Sequence, residues 1–171
     1  VAMAIGDALS TVWMERRGIS PTDFAMNHPA GSLGKQLTMT VADLMVPRVQ
    51  LIALQRDTLL PEVISQLTTG AIGSGWVEDP TTPDRLIGLI TDGDLRRALR
   101  NHKSEEWATL KASDLMTTDP ITTTPNLLAV EAIKAMEHNR RKAISVLPVV
   151  DADQKLQGLL RLHDLVQAGL I

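Results

Sequence analysis

The sequence predicts a mixed α/β fold made from two copies of a β-α-β-β-α unit, and three alignments of the chain with itself carry that prediction. The stretch "RLIGLITDGDLRRAL" (85–99) lines up with "KLQGLLRLHDLVQAG" (155–169), placing Gly88 against Gly158 and Asp94 against Asp164, each pair 70 positions apart. Upstream, "VADLMVP" (41–47) lines up with "ASDLMTTDP" (112–120), with Asp43 and Asp114 at an offset of 71. Between them, "TLLPEVISQL" (58–67) matches "NLLAVEAIKAM" (126–136) at an offset of 68. Three anchors in one order with nearly constant spacing mark the duplication of a ~70-residue unit.

Each element has a local reason. Residues 1–17 read as a helix with Ile5, Leu9, Val12 and Trp13 on one face and Gly18 as its C-terminal stop. Ser20-Pro21-Thr22-Asp23 starts a second short helix, serine capping and proline at the first helical position. "NHPAGSLGKQL" (27–37) reads as a loop. Residues 1–40 therefore lie outside the repeat and are expected to be the tail of a preceding domain, since the chain opens at Val1 without methionine. Their apolar face at 5–13 is expected to be disordered or packed against a second copy.

The first unit, 41–103, opens with a β-prone stretch at Gln50–Leu54 and a helix with Leu60, Val63, Ile64 and Leu67 on one face. The strands "GSGWVED" and "RLIGLIT" and a final helix follow. The second unit, 104–171, repeats this order. It has a β-prone Ile121–Thr124, a helix with Val130, Ile133 and Met136 as its stripe and Asn126 as N-cap, then "AISVLPVVD" and "KLQGLLR". The turns "DPTTPD" and "DADQ" are rich in Asp, Pro and Thr, and "NHKSEEWATLKA" (101–112) is expected to be a linker. Met45, Met116 and Met136 read as core filler.

Composition excludes several functions. A net charge of −3 lacks the concentrated basic face that phosphate backbones require, and three Trp with one Phe make no stacking platform. Without cysteine there is no disulfide framework and no thiolate metal site, and a cytoplasmic location is expected. No apolar run approaches the ~20 residues of a membrane helix. His102, His138 and His163 show no spacing for a metal or a triad.

The chemistry gathers at the strand-to-helix corner Thr91-Asp92-Gly93-Asp94. A helix N-terminus offers free N–H groups and a positive dipole end to a phosphate, threonine adds a hydroxyl, and an aspartate in the first turn accepts bonds from a ribose diol. Read alone, the same Thr-x-x-Asp is first a capping box, which needs no ligand. Arg140, Arg141 and Lys142 follow a helix, where the dipole alone favours cations. Arg96, Arg97 and Arg100 read as a solvated or subunit-facing surface.

With its two units each closing in a Gly-h-h-x-x-x-Asp corner, the chain resembles a pair of cystathionine-β-synthase-type (CBS) domains over about residues 41–171. The resemblance implies two units related by a pseudo-two-fold, with adenosine nucleotides held in clefts between them. By position it implies Thr91 on phosphate and Asp94 on ribose in one cleft, Asp164 on ribose in the other, and Arg141, Lys142, Ser145 and Val146 along the cleft border. Arg161 stands where Ser or Thr is usual, which turns the second cleft toward a ligand with an extra acid.

The junction "HPAGSLGKQL" followed by "VADLM" resembles that of bacterial arabinose 5-phosphate isomerases, in which a sugar isomerase (SIS) domain runs into a CBS pair. This implies a parent enzyme interconverting ribulose 5-phosphate and arabinose 5-phosphate for 3-deoxy-octulosonate (Kdo) and lipopolysaccharide synthesis. It also implies His28 as an active-site candidate in that parent. The chain alone is expected to be inactive as an isomerase and to need no cofactor. The expected ligand is an adenine nucleotide, AMP- or ATP-like, or the sugar nucleotide CMP-Kdo. The expected partners are its own SIS domain and a second copy in a CBS-pair dimer, with no nucleic acid and no membrane. The alternatives are a structural dimerisation module without ligand, or the CBS pair of a different host enzyme.

Overall fold

In the computed structural model, residues 2–20, 23, 31–138 and 144–171 are described. The expected order is present in the first unit; in the second, the β-prone Ile121–Thr124 forms no strand and keeps only a single bridge from Thr123 to Val149, because the chain turns at once through Thr124–Leu127. Each unit lends its leading segment to the other. Helix α1 spans Ala2–Arg17, α2 Ser32–Thr38, α3 Val41–Leu44 and strand β1 Val46–Pro47. The first unit continues with β2 (Ala53–Leu54), α4 (Leu60–Gly70), β3 (Ser74–Glu78), β4 (Leu86–Thr91) and α5 (Asp92–Asn101). The second comprises α6 (Ala112–Leu115), β5 (Thr117–Thr118), α7 (Ala129–Glu137), β6 (Val146–Val150), β7 (Leu156–Arg161) and α8 (Leu162–Gln167).

Two sheets result, ordered β2-β3-β4-β5 and β1-β7-β6. One outer strand of each, β5 in the first and β1 in the second, comes from the other unit. Val46 pairs with Leu159 and Pro47 with Gly158, while Leu89 pairs with Thr117 and Gly88 with Thr118. The segments before these strands are clamped in the same reciprocal way. Val41 N–H donates to the Leu127 carbonyl and Ala129 N–H to that of Met39; Ala112 N–H donates to Thr58 and Leu60 N–H to Leu110. The hairpin tips also bond across the pseudo-two-fold, Leu86 N–H to the Gln154 carbonyl at 3.3 Å and Leu156 N–H to the Asp84 carbonyl at 2.8 Å.

Three apolar clusters hold this arrangement. One lies beneath the helices of the first unit, around Leu54, Leu60, Val63, Leu67, Val77 and Ile90, and includes Leu115 together with Leu110 and Ala112 from the segment expected to be a linker. That segment is core, because Trp107 also packs on the cluster and donates its indole N–H to the His102 carbonyl. The second, around Ile133, Met136, Leu147, Leu160 and Leu165, takes Val41 in return. The third joins the units: Trp76 and Leu89 meet Val150, Leu156 and Leu159.

Four further expectations change. Helix α7 is capped by Leu128 rather than Asn126, since Asn126 lies in a turn closed by Leu127 N–H on the Thr124 carbonyl and held by Val41 N–H on the Leu127 carbonyl and Ala42 N–H on the Pro125 carbonyl, which leaves Leu128 as the last extended residue. Ile64 is 37 % exposed, outside the narrower stripe of Leu60, Val63 and Leu67. Part of the expected loop at 27–37 is α2, which docks on α7 and whose Lys35 ammonium donates to the Ala168 carbonyl at the end of α8. The segment at 5–13 is regular helix instead of disordered chain; its apolar residues Ile5, Leu9, Val12 and Trp13 all face solvent. Ser20 and Asp23 form the expected cap, each bonding the other's backbone N–H.

Candidate functional site: two strand-to-helix corners

In both units the strand of the closing hairpin ends on a residue that caps the last helix. Thr91 keeps extended backbone (φ −121°, ψ 166°) and Arg161 does likewise (φ −107°, ψ 145°). The neighbouring strand completes each corner: Asp92 N–H donates to the Gly73 carbonyl, and Leu162 N–H to that of Ser145. Ser74 lies across the ladder from Thr91, as Val146 lies across from Arg161. Cross-strand partners share a sheet face.

The first corner is a capping box. Thr91 donates its N–H to Asp94 Oδ2 at 2.8 Å and its hydroxyl to the same oxygen at 2.6 Å. The other oxygen, Oδ1, takes the Arg97 guanidinium one turn along α5. Asp94 is thereby only 5 % exposed, and Arg97 is a partner of the corner rather than part of a purely solvated face.

The second corner is wired differently. Arg161 donates Nε to Asp164 Oδ2 at 2.8 Å and Nη2 to Oδ1 at 2.6 Å. The Asp164 hydrogen bond raises the arginine's already high pKa, so the guanidinium stays charged throughout the ordinary pH range. Each corner thus carries one arginine–carboxylate pair, with the arginine three residues after the aspartate in the first and three before it in the second.

Beside the first corner an open recess of about 450 Å³ lies between the end of α4 and the start of α5, lined by Leu67, Thr68, Ala71, Gly73, Asp92 and Leu95 among others. Thr91 and Asp94 are not in its lining.

A profile of the CBS domain matches residues 112–170. Arabinose 5-phosphate isomerase KpsF of Escherichia coli is 40 % identical over 167 residues, 96 % of this chain and 47 % of its own length. Arabinose 5-phosphate isomerase KdsD of Pseudomonas aeruginosa is 37 % identical over 171 residues, all of this chain and 50 % of its own. This chain is homologous to the CBS half of the arabinose 5-phosphate isomerases. It spans about half the length of the curated relatives it matches. The structure of CBSX2, a CBS-pair protein of Arabidopsis thaliana, in complex with AMP superposes with a TM-score of 0.63 at 28 % identity, covering 78 % of this chain and 97 % of that one. The architecture is that of a CBS pair.

Within this CBS pair the candidate residues divide into three sets. Thr91 and Asp94 come together at one corner and Arg161 and Asp164 at the other, with Ser145 bordering the second corner through its carbonyl and Val146 on the inter-sheet face. His28, Arg141 and Lys142 lie outside the described residues. Among the described residues no cluster of His, Cys, Asp and Glu could hold a metal ion, and no helix is long and apolar enough to cross a membrane.

Two residues escaped the sequence reading. Ser74 Oγ and Trp76 Nε1 are buried on β3 without a hydrogen-bond partner. Val146 pairs with Arg161 as Ser74 pairs with Thr91, so extending the repeat alignment to the middle strands points to Ser74.

Proposed function

We propose that this chain is the regulatory, nucleotide-sensing CBS pair of an arabinose 5-phosphate isomerase, with an adenine nucleotide or CMP-Kdo bound between its units. The paired corners carry the reading: each presents a largely buried carboxylate in the first turn of a helix, where a ribose diol can be accepted. AMP in the related CBSX2 supports an adenine nucleotide, whereas Arg161 in the second corner suits a ligand with an additional acid. The isomerase chemistry then belongs to the parent enzyme, with this half biasing it through the two clefts. Such control requires different affinities for two arrangements of the units. On this reading the protein works in the cytoplasm.

Thermal unfolding of the 171-residue chain with AMP, ATP, CMP and CMP-Kdo tests it. A ligand at 100 times its dissociation constant adds ~2.7 kcal/mol to stability. No shift with any of the four would refute ligand sensing. One observation favours a second reading, that of a structural assembly module: Asp94 and Asp164 already have arginine partners from their own helices or strand ends. Persistent dimerisation with no nucleotide response would support that module.

A further inference from the structure

We propose that Ser74 and Trp76 are ligand-reading residues of the first cleft, giving hydrogen bonds to acceptor atoms of a nucleotide whose ribose lies on Asp94. The inference rests on reading the corners as nucleotide sites and adds to it the groups that recognise what is bound. Ser74 is 2 % exposed and Trp76 1 %, yet neither Ser74 Oγ nor Trp76 Nε1 has a partner. Buried donors are almost always satisfied, because leaving one unmade forfeits its solvation. Here two such donors lie on one strand.

Their placement is directional. Residues two apart on a strand share a face and stand ~7 Å apart. Ser74 is across from Thr91 and Trp76 across from Leu89, and Trp76 and Leu89 belong to the layer between the two units. The pair therefore points into the junction of the units, beginning at the corner that holds Asp94. That carboxylate has capacity left on one side only. Oδ2 accepts both Thr91 donors, whereas Oδ1 accepts Arg97 alone and has a lone pair for a hydroxyl. Two donors and one acceptor along a single face match a nucleoside, which offers hydroxyls from its sugar and acceptor nitrogens or carbonyls from its base.

The second unit lacks this array. At the matching places Val146 faces Arg161 and Pro148 faces Leu159, and neither side chain can donate. The first cleft therefore reads neutral acceptors through Ser74 and Trp76, while the second offers the charge of Arg161. Thr123, whose Oγ1 is also buried and unpartnered, forms a backbone bridge to Val149 of the second unit's helix-side core and is a separate feature.

Calorimetric titration of the full chain with AMP, ATP and CMP, in wild type, Ser74→Ala, Trp76→Phe and Asp164→Asn, decides the matter. The expected result is that Ser74→Ala and Trp76→Phe each weaken one binding event ~5- to 30-fold, leaving any event sensitive to Asp164→Asn untouched. Wild-type binding with both β3 variants unaffected means the two donors hold water only; it overturns the inference and leaves nucleotide sensing standing. Binding abolished by Asp164→Asn alone does the same. No binding by wild type removes both readings. Unfolding midpoints of the free variants confirm folding, and should Trp76→Phe fail to fold, Ser74→Ala decides alone.

Discussion

Arg161 grips Asp164 with two parallel hydrogen bonds, Nε to Oδ2 at 2.8 Å and Nη2 to Oδ1 at 2.6 Å, in the position where Thr91 caps its own helix. The aspartate is 14 % exposed, and among the described residues its carboxylate accepts hydrogen bonds from this one side chain. Arg161→Ala strands a mostly buried carboxylate and is expected to cost ~1–3 kcal/mol. Arg161→Thr should cost less, because a threonine there can donate its hydroxyl to Asp164 and accept from the helix, as Thr91 does with Asp94. Urea unfolding of both variants measures this; equal losses would show that the threonine cap cannot form in the second unit.

The two strand glycines look equivalent in sequence but differ in what confronts them. A Cβ on Gly158 would lie 2.5 Å from the Val46 carbonyl oxygen, part of the exchanged strand β1. For a Cβ on Gly88 the three nearest atoms all belong to the Met116 side chain, which can change rotamer. Gly158→Ala is therefore expected to cost ~3 kcal/mol or more by forcing β1 away, and Gly88→Ala ~1 kcal/mol. Adding Met116→Ala should recover much of the Gly88→Ala loss, whereas Met45→Ala should not rescue Gly158→Ala. Equal costs for the two glycines would contradict this account of the strand exchange.

Those glycines also mark what the sequence reveals and what it hides. The duplication, the strands around Gly88 and Gly158 and the corners at Asp94 and Asp164 were legible because local pattern repeats. The exchange of leading segments was not, since it depends on bonds such as Val41 to Leu127 between distant stretches. That exchange moved the cap of α7 from Asn126 to Leu128 and turned the supposed linker, with Leu110 and Ala112, into core. Ser74 and Trp76 were hidden for another reason: a serine and a tryptophan on a strand are ordinary, and only burial without partners sets them apart.

Asp43 gives the protein an acid-sensitive cap. Thr40 donates its N–H to Asp43 Oδ2 at 2.8 Å and its hydroxyl at 2.7 Å, and these bonds hold the carboxyl below its ordinary value of 3.8, the hydroxyl having the larger effect. The unfolded chain then takes up the proton more readily than the folded one, so the contribution is complete above 3.8 and fades as pH falls through the lowered folded value. Asp43→Asn is expected to cost ~1 kcal/mol at neutral pH. The gap between wild type and variant should hold steady from about pH 7 to 5 and narrow below about pH 4. A gap unchanged under acid would place the effect of the substitution elsewhere than in the cap.

Thr123 separates a buried hydroxyl that serves nothing from one kept for a ligand. Its backbone is fully used, N–H to the Pro148 carbonyl at 2.9 Å and carbonyl from Val150 N–H at 2.9 Å, but Oγ1 is buried without a partner. Thr123→Val keeps the shape, removes the orphan and should stabilise the chain by ~1 kcal/mol with no change in nucleotide affinity. Ser74→Ala should likewise leave the free protein as stable or stabler, yet weaken binding if its hydroxyl reads the ligand. Chemical unfolding without ligand and titration with AMP, run side by side on the two variants, distinguish these roles. Loss of affinity in Thr123→Val would tie the second unit's core to the site; loss of stability in both would mean that each hydroxyl is satisfied by buried water.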